Sequence, residues 1–129
     1  MKRNAYCVFI VGITFIISVS SCISNKSDLS KLNLGISTNY SNADAMKQNG
    51  YLFVEENVGR FLVPTKDEEE FLAIVKDLGN TPLPVKACNS FLPKDLKSVG
   101  PDAVHPEILT FAETAFRRAK EVGVEIIVF

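Results

Sequence analysis

The stretch 106–129, PEILTFAETAFRRAKEVGVEIIVF, decides how the rest of the chain reads. Proline at its head is a preferred first-turn residue of a helix. Ile108, Phe111, Ala112, Ala115, Phe116, Ala119 and Val122 recur at helical spacing and make one apolar stripe. Gly123 stops the helix, and Val124-Glu125-Ile126-Ile127-Val128-Phe129 follows as a hydrophobic strand. Parallel strands of this kind are stable when both faces and both edges are covered. The bare run from Ile126 to Phe129 therefore predicts more polypeptide to cover it, and the chain is expected to be the front part of a longer protein.

Upstream the same alternation repeats. Val85-Lys86-Ala87-Cys88-Asn89 reads as a strand, preceded by a breaker cluster from Asn80 to Pro84. Before it, Phe71, Leu72, Val75 and Leu78 mark a helix that Gly79 ends. Thr65 and Glu68 form a capping box for that helix, and the acidic run Asp67 to Glu70 suits its positive dipole end. Tyr51-Leu52-Phe53-Val54-Glu55 is a buried-strand pattern, Asn42 to Asn49 a weak helix stopped by Gly50, and Leu32 to Ser37 a short first strand. The order is β-α-β-α-β-α-β, which argues for an α/β fold with a parallel sheet and right-handed crossovers.

Loop lengths sharpen the expectation. Links from helix to strand are short, whereas Glu56 to Pro64 and Ser90 to His105 are long. Long loops after the carboxyl ends of strands are where (β/α)₈ barrels and doubly wound sheets place their sites. Three and a half such units in about 100 residues scale to a barrel of roughly 250. Residues 32–129 are thus expected to form the N-terminal half of a TIM barrel.

Composition bounds the function. With 129 residues, 47% apolar and 22% charged, the chain fits one small globular domain and excludes a disordered or nucleic-acid-coating polypeptide. Lys2 and Arg3 precede an apolar stretch from Ala5 to Val19 that is short for a membrane span, a secretory signal pattern over residues 1–21. Residues 22–31 are polar and read as a tether. Val19-Ser20-Ser21-Cys22 resembles a bacterial lipobox, which implies cleavage before Cys22 and lipid on that residue. The alternative is an ordinary signal peptide with an incidental cysteine. A lipid anchor would hold the protein at the membrane of the cell envelope, on its periplasmic or surface side. Of 14 basic and 15 acidic residues, 12 and 15 follow Cys22, a net charge of −3 that gives no footing for nucleic acid. Cys88 is then the one free thiol, so an intrachain disulfide framework and cysteine-based zinc ligation are both excluded.

Leu34-Gly35-Ile36-Ser37, Gly50 to Glu55 and Gly123 to Phe129 together resemble the xylose isomerase-like barrel superfamily. Asn89-Ser90-Phe91-Leu92-Pro93 and Val99-Gly100-Pro101 are similar to the third strand-to-helix loop of its sugar phosphate isomerase and epimerase branch. The resemblance spans about Leu32 to Phe129. It implies a divalent-metal isomerase or epimerase acting on a small sugar or sugar phosphate, with a proton moved beside the sugar carbonyl. In that superfamily the metal ligands come largely from later strands. No metal ligand is therefore assigned here: the ion is expected in the full-length parent, and this fragment is expected to be inactive. A non-catalytic carbohydrate-binding lipoprotein is the alternative. An apurinic-endonuclease-type phosphodiesterase fits less well, since it needs a basic groove and several histidines.

Glu55 matches the family's strand-two glutamate and is a candidate substrate contact, against a plain strand-end acid. Asn89, where the third strand enters its loop, is a candidate for hydrogen-bonding sugar hydroxyls, against an asparagine satisfied by backbone. Glu56 neighbours Glu55, but alternation along a strand sends the two carboxylates to opposite faces. Phe91 reads as a loop anchor, Arg60 as a solvent-facing arginine, and His105 as a helix-entry residue. Cys88 reads as a small core residue.

Overall fold

In the computed structural model, which describes residues 32–129, the hydrophobic runs become strands of one parallel sheet. These are β1 (Gly35–Ser37), β2 (Phe53–Asn57), β3 (Val85–Asn89) and β4 (Ile126–Ile127), hydrogen-bonded in the order β1-β2-β3-β4. A 3₁₀ turn (Tyr40–Asn42) and α1 (Ala43–Gln48) link the first pair. The short α2 (Val58–Phe61) and α3 (Glu68–Leu78) link the second, and α4 (His105–Val122) the third. The signal-peptide, tether and Cys22 lipidation readings fall on residues 1–31, outside the described residues.

The fold is α/β, as the alternation requires. Because each strand pairs with the next in sequence, right-handed crossovers carry every helix to the same side of the sheet. One core cluster records this. Val54, Val85 and Cys88 of the sheet meet Ala43 of α1, Phe61 of α2 and Ala115 of α4. Ile74 and Leu78 of α3 pack against the same cluster. A doubly wound sheet would instead reverse its strand order and take helices on both faces. The sequential order is compatible with an arc of a closed barrel.

Register sorts the side chains. Along β2, Val54 and Glu56 are buried on the helix side, while Phe53 and Glu55 alternate with them on the open side. Between β2 and β3, Val54 pairs with Val85 but Glu55 with Ala87, so β3 carries one extra residue at this point. That bulge explains how Val85 and Cys88, an odd number of residues apart, both enter the helix-side core. On the open face Phe53 lies across Gly35, where any β-carbon would collide with its ring. Glycine is needed there for close approach rather than for a turn.

Several boundaries differ from expectation. β1 begins at Gly35 rather than Leu32, and β2 spans Phe53–Asn57 rather than residues 51–55, because pairing with β3 continues through Glu56 and Asn57. The ladder of β4 holds only Ile126 and Ile127, flanked by bonds from the Glu125 N–H to the Lys86 carbonyl (2.8 Å) and from the Val128 N–H to the Cys88 carbonyl (2.7 Å). The segment expected to be a loop from Glu56 onward folds as strand and then α2. Gly123 has φ 78°, the left-handed conformation that closes a helix, as expected for α4. Within the apolar stripe of that helix, Phe116 is about half exposed, although its ring stacks on Phe91 at 5.4 Å.

The cap of α3 is the clearest correction. Thr65 does not cap it; the Asp67 carboxylate accepts from the Glu70 N–H at 3.0 Å. Glu68 is drawn away from any reciprocal cap by α4, where Nη1 and Nη2 of Arg117 reach it at 3.0 and 2.8 Å. Arg118 adds a third bond at 3.0 Å. Hydrogen bonds from Arg117 and then Arg118 lower the Glu68 pKa from 4.5 to about 2. A carboxylate whose pKa is depressed on folding stabilises the fold above its unfolded pKa, and that contribution disappears as pH falls through the folded one. Denaturant titrations of the wild type and Glu68→Gln should therefore differ at neutral pH, converge as pH drops below 4.5 and coincide near 2. A gap that persisted or widened on acidification would contradict this pairing. The group is exposed, so solvent screening keeps the gap small.

Candidate functional site

The carboxyl ends of β1, β2 and β3 bring together Ser37, Glu55 and Asn89. Ser37 and Glu55 are direct register partners. The Asn89 carboxamide nitrogen donates to Glu55 Oε1 at 2.7 Å and to Ser37 Oγ at 3.0 Å. Ser90 Oγ in turn donates to Asn89 Oδ1 at 3.2 Å. The two residues singled out from the sequence are thus bonded to each other across neighbouring strands. Ser37 and Ser90 were not foreseen. Ser37 had a sequence signal, since it stands two residues from Gly35 and shares its face.

The cluster offers a carboxylate, two hydroxyls and a carboxamide on the face opposite the helices. Among the described residues, Glu55 Oε2 has no hydrogen-bond partner. A carboxylate pinned through one oxygen keeps the other aimed, without needing to reorganise when a ligand hydroxyl arrives. Groups of this kind, at strand ends on a rigid sheet, suit recognition of a polyhydroxylated molecule.

The other candidates lie elsewhere. Glu56 is buried on the helix side, so the adjacent carboxylates do point to opposite faces. Its oxygens accept from the Tyr40 N–H (2.6 Å), the Asn57 N–H (3.0 Å) and the Arg60 side chain (3.0 and 2.6 Å). Arg60 is half exposed, as read from the sequence, but its guanidinium is engaged by Glu56 rather than free in solvent. Phe91 is a buried loop anchor, edge-to-face with Phe111 at 5.6 Å and 84°. His105 opens α4 and is exposed. Cys88 is fully buried; burial first, then the nearby Glu56 and Glu55 charges, pushes its thiol up to about 12, so it remains an inert thiol.

These residues do not make a divalent-metal site. Glu55 is the single carboxylate of the cluster, and the Asn89 nitrogen, not its oxygen, faces it. Among the described residues no group of three or more His, Cys, Asp or Glu side chains is placed to hold a metal ion. No helix among them is long and apolar enough to cross a membrane. The chain matches no protein-family model, no curated protein and no solved structure.

Proposed function

We propose that the four strands are the first half of a (β/α)₈ barrel of the sugar phosphate isomerase and epimerase type, carried within a longer polypeptide. In this reading Ser37, Glu55 and Asn89 bind hydroxyls of the sugar. The observation that carries it is the hydrogen-bonded trio at the carboxyl ends of three successive parallel strands, the end at which such barrels keep their sites. The divalent metal of that chemistry would be held by residues of later strands, and this chain's part is to bind and orient the sugar. We further propose export and lipid anchoring through Cys22, on the strength of the sequence Val19-Ser20-Ser21-Cys22.

The test uses the full-length encoded protein and calorimetric titration with a panel of aldoses, ketoses and their monophosphates. At least one sugar should bind, and Asn89→Ala and Glu55→Gln should each weaken it about tenfold, the order of one charge-assisted hydrogen bond. Both positions are only partly buried, so the variants should keep the wild-type circular dichroism. Interconversion of the bound sugar in the presence of Mg²⁺ or Mn²⁺ distinguishes an isomerase from a carbohydrate-binding lipoprotein. A panel with no binder would sink both.

A further inference from the structure

A groove of about 350 Å³ opens beside the trio, between the turn from β2 into α2 and the loop that leaves β3. Its polar lining is Asn57, Ser90 and Lys94, and its floor is Phe91 and Phe111. Ser90 belongs to both places, since its hydroxyl also donates to Asn89. Its φ is 54°, left-handed backbone that a residue with a β-carbon adopts only at a cost. Strained backbone of that kind clusters at ligand sites, and here it stands at the junction of a polar cluster and a groove.

Charge indicates what the ligand carries. Lys94 is the only charged residue lining the groove, and no carboxylate lies within ion-pairing distance of it among the described residues. Lys66, Lys86 and Lys97 are each paired; Lys47, Lys76 and Lys120 have no ion pair among the described residues either, but none of them lines the groove. Asp95 follows Lys94 in the loop but does not line the groove. Of the two carboxylates of β2, Glu56 is paired with Arg60, and Glu55 sits in the trio rather than in the groove. A ligand with hydroxyls at one end and an anion at the other would be repelled in one orientation and held in the opposite one.

We propose that this groove takes the oxyanion end, a phosphate monoester or a carboxylate, of the same sugar whose hydroxyls meet Ser37, Glu55 and Asn89. The proposal rests on the sugar-binding reading and adds a polarity to it. The ammonium of Lys94 serves as a point charge on the oxyanion, and the aromatic floor keeps the loop in place.

The experiment compares neutral sugars, their terminal monophosphates and the corresponding uronates on the full-length protein and on Lys94→Gln. Lys94 is exposed in a loop, so the substitution should leave the thermal midpoint unchanged. In the wild type the anionic forms should bind about tenfold tighter than the neutral ones, and Lys94→Gln should abolish that advantage without touching neutral-sugar affinity. An advantage confined to phosphates, or shared by uronates, identifies which oxyanion the groove takes. Equal affinity for neutral and anionic forms, or an advantage that survives Lys94→Gln, overturns the proposal. Those results leave sugar binding by the trio intact, whereas absence of any sugar binding removes both.

Discussion

Arg118→Ala is expected to destabilise the protein by about 3 kcal/mol or more, a large part of the stability of an ordinary domain. The side chain is 2% exposed and ties α4 to the segment that enters α3. Its Nη1 donates to the carbonyls of Leu62 (3.0 Å) and Val63 (2.5 Å). Its Nη2 donates to the carbonyls of Lys66 (3.1 Å) and Asp67 (2.9 Å) and to Glu68 Oε2 (3.0 Å). The guanidinium also lies over the Phe71 ring, 4.8 Å from its centre. Val63 has φ 41°, an unfavourable conformation for a β-branched residue, and Arg118 grips its carbonyl. Truncation leaves the buried Leu62 carbonyl without its side-chain donor and the buried Val63 carbonyl with only the Lys66 N–H, and it releases the part-buried carbonyls of Lys66 and Asp67 at once. Such losses are costly where water cannot replace the partner. Arg118→Lys should recover little, since one ammonium cannot span acceptors spread along residues 62–68. Arg118→Met keeps much of the packed stem and should fall between wild type and alanine. Urea denaturation followed by circular dichroism gives the ranking. A loss below about 1 kcal/mol for alanine would mean that the clamp contributes little.

This clamp also shows where the sequence was legible and where it was not. Pro106, Gly123 and the apolar stripe announced α4, and Val85–Asn89 emerged as β3 with both ends as read. Such elements are written locally, in spacing and in end residues. Arg118 stands beside Arg117 and two residues before Lys120, and the apolar stripe read from the sequence passes over it. Yet it lies seven residues after Phe111 and four before Val122, on the buried side of the helix. The spacing held the signal, and the charge masked it. The cap of α3 was ambiguous for another reason. Thr65 and Asp67 each have an N–H donor three residues ahead, and the bonds of Arg117 and Arg118 to Glu68, with those of Arg118 to the Lys66 and Asp67 carbonyls, accompany the choice of Asp67.

The candidate site divides the same way. Glu55 and Asn89 could be placed at strand ends from the sequence, but not against each other. Their contact depends on the bulge between β2 and β3, a one-residue slip that no hydrophobic pattern encodes. Ser37 joins them because β1 stays in plain register with β2. The residues with the greatest local identity, His105 and the acidic run at 67–70, turned out to mark helix starts. What assembles the trio is tertiary pairing across three strands.

The adjacent carboxylates of β2 give the second large effect, because their environments differ so sharply. Glu56→Ala should cost about 2–4 kcal/mol, whereas Glu55→Ala should cost less than about 1. Glu56 is 1% exposed and its oxygens satisfy two backbone N–H groups, of Tyr40 and Asn57, besides anchoring Arg60. Removing it opens a cavity under α2 and strands the Tyr40 N–H, which links the turn after β1 to β2. Arg60 can return to water, so its release adds little. Glu55 lies on the open face, and its loss frees only one bond from Asn89, whose amide is accessible to solvent. Glu56→Gln should recover part of the loss, since the amide oxygen still accepts from Tyr40 but the charge opposite Arg60 is gone. Thermal and urea denaturation of the three variants would rank them. If Glu55→Ala proved the more damaging, Glu55 rather than Glu56 would face the helices, and the cluster with Ser37 and Asn89 could not exist on the open face.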